Sequence, residues 1–187
     1  DSITEGYHLK EFFPNLPTVN RGIGSDVIVS NIPGRIPRGI LNRMDNSLHD
    51  CHPRALFLLI GTNHMGNNAA AVENLFKDYT KIIDQALAKF PTLKIALTTL
   101  PPSGVAYAKW GKPEVFNPRA VKFNELIRAY AKEKNFPLID LEALLKDDQG
   151  MLNAEFTGDG IHLKKAAYEL WTVEVKKILT SWGEKVD

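Results

Sequence analysis

The chain has 187 residues, 23 Lys and Arg against 22 Asp and Glu, a formal net charge of +1, and a single cysteine, Cys51. One domain with one continuous core fits that length, and a balanced charge without runs of one sign argues against a nucleic-acid groove or an acidic tail and for small neutral partners. The lone thiol excludes an internal disulfide, and no apolar run approaches the ~18 residues of a membrane span.

The chain opens Asp1-Ser2-Ile3-Thr4-Glu5-Gly6. Ser2 and Glu5 have the spacing of a capping box, in which a hydroxyl and a carboxylate satisfy free amides of a first helical turn. A serine at a helix N-terminus is also well sited as a nucleophile, since its own amide and the helix dipole face any oxyanion formed there. Such a serine needs a strand in front of it, and the chain supplies no residues for one. An upstream apolar strand is therefore expected, and any export signal would lie in the same missing stretch. Leu9, Phe12, Phe13 and Leu16 are spaced as one helix face over about 7–16, ending near Pro14. Thr18-Val19-Asn20 reads as a short strand running into Arg21-Gly22-Ile23-Gly24-Ser25-Asp26. The glycines there make either a simple turn or a loop whose exposed amides donate to an oxyanion.

After Pro33 and Pro37, a helix from about Arg38 to Leu48 carries Ile40, Leu41, Met44 and Leu48 on one side. His49, Cys51 and His52 cluster at its end, but no second ligand pair follows at a zinc-like distance. Residues Ala55 to Ile60 form an apolar run between Pro53 and Gly61, the mark of a strand buried on both faces of a parallel sheet. Gly61-Thr62-Asn63-His64 follows, and ligands of open parallel sheets bind beyond the carboxyl ends of the strands. Asn63 is placed either for function or for an Asx turn.

A helix from about Ala69 to Lys89 has Val72, Leu75, Phe76, Tyr79, Ile82, Ile83, Ala86, Leu87 and Phe90 at helical spacing. Leu93 to Leu100 is the next strand, closed by Pro101-Pro102. Ser103 to Pro118 reads as a long loop whose Tyr107, Trp110 and Phe116 either wall an acyl or sugar pocket or cap the core edge. A helix from about Arg119 to Lys134, a strand Pro137 to Asp140, a short helix Leu141 to Leu145 and a last helix Lys164 to Trp182 complete a strand–helix alternation. Before that last helix lies Thr157-Gly158-Asp159-Gly160-Ile161-His162. On a tight turn, this spacing puts a carboxylate beside one imidazole nitrogen and leaves the other facing a cleft, or else gives a solvated loop histidine.

Four blocks in order carry a resemblance over essentially the whole chain: Asp1-Ser2-Ile3-Thr4-Glu5-Gly6, Asn20 through Asp26, Gly61-Thr62-Asn63-His64 and Asp159-Gly160-Ile161-His162. They resemble those of the SGNH, or GDSL-type, hydrolases, and most those of the branch like platelet-activating-factor acetylhydrolase. The resemblance implies Ser2 as nucleophile, His162 as general base and then acid, and Asp159 as the carboxylate orienting the imidazole. Oxyanion donors would be the Ser2 amide, the Asn63 side chain and a backbone amide of Gly24 or Ser25. Three features depart from the pattern: the Gly expected before Asp1 is absent from the sequence, Ser25 stands where relatives usually have Gly, and His64 where they have Asp.

The implied fold is a three-layer α/β/α sandwich with a central parallel sheet, flavodoxin-like, in strand order 2-1-3-4-5. The upstream strand would be central in it, so the chain without that strand is not expected to fold alone. The implied activity is hydrolysis of short acyl esters, such as an acetylated sugar or lipid-like ester, with no metal or cofactor. The alternatives are a non-catalytic carbohydrate-binding or interaction module, a lysophospholipase or thioesterase taking longer chains, and a metal-dependent hydrolase using His49, His52 and His64. Oligomeric state is left open.

Overall fold

A computed structural model describes residues 1–30, 39–67 and 69–186. In chain order its regular elements are α1 (Ser2–Glu5), α2 (Leu9–Phe12), α3 (Met44–Ser47), β1 (Ala55–Leu58), α4 (Thr62–Met65), α5 (Val72–Lys89), β2 (Lys94–Thr98), α6 (Pro113–Lys134), β3 (Leu138–Ile139), α7 (Leu141–Leu145) and α8 (Lys165–Ser181). The strands form one parallel sheet in the order β1-β2-β3, with Leu58 opposite Leu97 and Leu97 opposite Leu138. Ile95, Ala96 and Leu97 are buried, as a strand covered on both faces requires. Consecutive parallel strands need crossovers, and α5 and α6 supply them. These two helices meet through Phe76, Tyr79 and Phe123, with ring centroids 5.6 to 5.9 Å apart.

The loops beyond the carboxyl ends of the strands are tied by buried polar groups. Asn124 of α6 accepts from the Leu100 amide and donates to the Leu100 carbonyl, both at 2.8 Å. Arg128 binds Asp140 through two nitrogens, at 2.9 and 2.8 Å, and Glu142 at 2.8 Å. These bonds fix the segment that leads from β2 toward Ser103 and Gly104. Among the described residues, no helix is long and apolar enough to cross a membrane.

Five expectations need correction. The first helix is capped by Asp1, whose Oδ1 accepts from the Ile3 amide at 3.1 Å, so Ser2 and Glu5 form no capping box and the Ser2 hydroxyl is available for other work. The helix over 7–16 shrinks to α2, because Pro14 disfavours helical backbone at Phe13. Thr18-Val19-Asn20 is not a strand: Val19 is 58% exposed, and Asn20 docks through its side-chain amide on the carbonyls of Thr4 and Tyr7 at 2.6 and 2.9 Å.

The helix expected from Arg38 to Leu48 begins outside the described residues and is otherwise broken, into a 3₁₀ turn Ile40–Arg43, α3, and a second 3₁₀ turn His49–Cys51. Its polar residues also point in separate directions: the exposed Asn42 pairs with the Ser30 backbone, while Arg43 turns inward to the buried Asp26, which one regular apolar stripe does not provide. The loop Ser103 to Pro118 is a 3₁₀ turn Val105–Lys109 followed by the start of α6. Pro113 occupies the first helical position, where a missing N–H is harmless. Pro118 is tolerated inside the helix, flanked by the buried Phe116, Ala120 and Phe123.

Candidate functional site

Ser2 opens α1 and His162 lies 160 residues later, so their meeting depends on packing. Helix α8 starts three residues after His162, and its Tyr168 hydroxyl donates to the Ile3 carbonyl at 2.8 Å. Tyr7 stacks on Tyr168 and lies against Trp171, with centroids at 5.2 and 4.8 Å, and its hydroxyl bonds Thr172 at 2.6 Å. One helix face thus holds both the serine's helix and the histidine's turn.

That turn is built from its own polar groups. Asp159 Oδ1 accepts from the amides of Ile161 and His162, at 2.9 and 2.8 Å. Thr157 Oγ1 accepts from the Gly160 amide at 2.9 Å and donates to the His162 carbonyl at 2.8 Å. Gly160 has φ 88°, and a Cβ there would lie 2.2 Å from the Tyr107 backbone nitrogen, so no other residue fits. Asp159 Oδ2 remains for the imidazole and sits 2.6 Å from His162 Nδ1, while His162 Nε2 is 3.1 Å from Ser2 Oγ. Burial pulls the Asp159 carboxyl upward, but the imidazole and the two amides outweigh it and hold it down at about 2. An ionised Asp159 accepts from Nδ1–H, which leaves Nε2 as a base toward the serine hydroxyl.

The second half of the site is the loop from Asn20 to Asp26. It lies on α1: a Cβ at Gly22 would meet the Glu5 nitrogen at 2.2 Å, and Asn20 holds the end of α1 as described. Ile23 to Asp26 is a turn closed by the Asp26 amide on the Ile23 carbonyl at 3.1 Å, with Ser25 left-handed at φ 59°. The left-handed backbone explains why glycine suits this position, and Ser25 adopts it despite its side chain. Asn63 Nδ2 donates to the Asp26 carbonyl at 2.8 Å, which ties Asn63 to the Gly24-Ser25 turn. An amide nitrogen carries two hydrogens, so a second donor remains on Asn63.

Sequence reasoning missed what holds this half together. Asp26 is fully buried; its carboxylate accepts from the amides of Val27 (3.0 Å) and Gly39 (2.6 Å) and is paired with the Arg43 guanidinium. Arg43 also donates to the Arg21 carbonyl at 3.2 Å. Asp26 stands in a quoted block, but nothing in the spacing singles out Arg43 as its partner.

His64 replaces the expected carboxylate with another acceptor: its Nε2 receives the Ile28 amide at 3.1 Å. Burial, and then the Arg119 charge, hold its pKa below the ordinary 6.5, against a smaller opposing pull from Asp78. The folded form therefore keeps His64 neutral where the unfolded chain begins to take up a proton. Its contribution to stability is complete above about pH 6.5 and is lost as pH falls through the lowered folded value. Denaturant titrations at pH 7.5 and 5.0 should show a larger loss for the wild type than for His64→Gln, which keeps a neutral acceptor; equal losses would contradict this. His49 bonds Asp45 at 2.6 Å and, like His52, packs edge-on against Phe90, whereas His64 bonds the Ile28 amide; among the described residues no three His, Cys, Asp or Glu side chains gather as a metal ion would require.

The model of the GDSL-like lipase/acylhydrolase family matches residues 1–170. The chain belongs to that family. A chicken (Gallus gallus) platelet-activating factor acetylhydrolase IB subunit alpha2 is 26% identical over 160 residues, 85% of this chain but only 62% of that protein. A solved Streptococcus pneumonia protein named for platelet activating factor is 28% identical with a TM-score of 0.79, covering 96% of this chain and 80% of that one. A GDSL-like lipase from Bacteroides thetaiotaomicron, 21% identical with a TM-score of 0.77 over 96% of this chain and 84% of its own, shares the fold. The expected flavodoxin-like α/β class is the one these GDSL structures have.

Proposed function

We propose that the chain is a serine ester hydrolase that cleaves short acyl esters, acetyl esters foremost, through an acyl-Ser2 intermediate. What carries the reading is the unbroken contact from Asp159 Oδ2 through the imidazole to Ser2 Oγ, at 2.6 and 3.1 Å. His162 Nε2 takes the Ser2 proton as Oγ bonds the acyl carbon, and the carbonyl oxygen becomes an oxyanion. The Ser2 amide stands at the first helical position, where no intrahelical acceptor exists. That amide, the second Asn63 hydrogen and an amide of the Gly24-Ser25 turn receive the oxyanion. The C–O bond to the alcohol then breaks and His162 returns the proton to the departing oxygen. Water, deprotonated by the same nitrogen, attacks the acyl-serine, and the carboxylic acid leaves with Ser2 restored.

One observation favours a short acyl group: the chicken relative is named an acetylhydrolase. A panel of acetyl, butyryl and long-chain esters tests this. The acetyl ester should have the highest kcat/KM, with a fall of about tenfold or more at the longest chain. A rising series would assign longer substrates, and no turnover of any ester would remove the hydrolase reading.

A further inference from the structure

The 3₁₀ turn Val105–Lys109 lies between the two halves of the site. On one side the Tyr107 hydroxyl lies against Gly66, at the end of the helix carrying Asn63. On the other, the Tyr107 backbone lies on Gly160, and the Gly104 amide donates to the Gly160 carbonyl at 2.8 Å. The turn therefore lies between the end of the helix carrying Asn63 and the turn carrying His162, whose imidazole meets Ser2. Its last contact is Trp110. The indole Nε1 donates to the Asp159 carbonyl at 3.1 Å, and the ring stands edge-on to Tyr107 at 4.5 Å and 84°. Trp110 is nevertheless 56% exposed. A large aromatic ring is thus held rigidly by its N–H and one edge, on the backbone of the aspartate that orients His162, while the rest of it faces water.

We propose that Trp110 is a stacking platform for the alcohol part of the substrate and that this part is a sugar ring, making the substrate an acetylated carbohydrate. The inference rests on the ester-hydrolase reading above. His162 must deliver its proton to the leaving oxygen, so the alcohol lies on the histidine side of the serine, which is the side Trp110 occupies. The surroundings decide which alcohol. The turn that the indole bonds carries the polar groups: the Asp159 and His162 side chains are 44% and 50% exposed. A single flat apolar surface among polar groups matches a pyranose, whose C–H face stacks on the ring while its hydroxyls reach the polar rim. A long alkyl alcohol needs a continuous apolar groove, and the other exposed apolar residues of this turn are Val105 and the small Ala108.

The test compares an acetylated xylose with ethyl acetate, which has no ring, in the wild type, Trp110→Ala and Trp110→Phe. Trp110→Ala should lower the ratio of kcat/KM for the sugar ester to that for ethyl acetate by about tenfold, mostly through KM, and Trp110→Phe should keep it within about threefold. The phenylalanine variant keeps a ring but loses the N–H, so it separates stacking from support of the Asp159 turn. An unchanged ratio in Trp110→Ala, or an equal fall in both variants, overturns the proposal. Binding of the same acetylated xylose to Ser2→Ala, read by calorimetry, separates the two readings. Binding that is lost on adding Trp110→Ala supports the platform even if the wild type turns over neither ester, which would remove only the hydrolase reading. Binding unaffected by that change overturns the platform while leaving the hydrolase in place.

Discussion

Ser2→Ala should lower kcat for an acetyl ester by roughly 10³-fold or more, with KM nearly unchanged. In the proposed mechanism the Ser2 oxygen becomes bonded to the acyl carbon, so its loss removes the two-step route and leaves only whatever the oxyanion donors provide. The substitution is structurally mild. Asp1, not Ser2, caps α1 through the Ile3 amide, and the Ser2 hydroxyl faces His162 Nε2 at 3.1 Å. Alanine is also a good helix former. Loss of activity with an unshifted melting temperature therefore reports chemistry. A variant that kept most of its kcat would show that Ser2 is not the nucleophile.

Asn63→Ala should lower kcat by about 10² to 10³, again with little change in KM, because its donor is used when charge develops on the carbonyl oxygen. One Asn63 hydrogen is already committed to the Asp26 carbonyl at 2.8 Å. That bond fixes the amide plane, so the remaining hydrogen needs no reorganisation during the reaction. The Asp26–Arg43 pair keeps its own bonds in this variant, and the turn should stay in place. A fall in kcat/KM arising from KM alone would assign Asn63 to ground-state binding. A loss below threefold would remove it from the oxyanion site.

The parts of the site read from sequence were those whose chemistry is local. Asp159 and His162 are three residues apart and make their turn from their own side chains and amides, so their spacing carried the geometry. The burial of α5 was legible for the same reason, since its stripe shows the helical period directly, whereas the run Ala55 to Ile60, read as buried on both faces, is buried only from Leu58 onward. Long-range pairings were not. Arg43 sits in a stretch with apolar residues at helical spacing, and only the fold reveals that it turns inward to Asp26. His64 looked like a lost carboxylate, whereas its imidazole supplies the same thing, an acceptor for a backbone N–H. Pro113 and Pro118 lie in the stretch that reads as a loop, yet the first occupies the one turn where proline suits a helix and the second is outweighed by burial around it. Val19 had the pattern of a strand, but a strand needs a neighbour, and Asn20 finds its partners on α1 instead.

Trp110 shows a further limit. As part of an aromatic segment it suggested either a pocket wall or a cap on the core, and sequence does not choose. In the fold the two roles are divided: Tyr107 and Phe116 are buried, and Trp110 is not.

The central claim is that the imidazole makes Ser2 an activated nucleophile, and labelling by a fluorophosphonate followed by peptide mapping measures it most directly. The account predicts one adduct per chain, on Ser2, absent after denaturation and strongly slowed in His162→Ala. No adduct on the folded wild type, or an adduct on another serine, would contradict it.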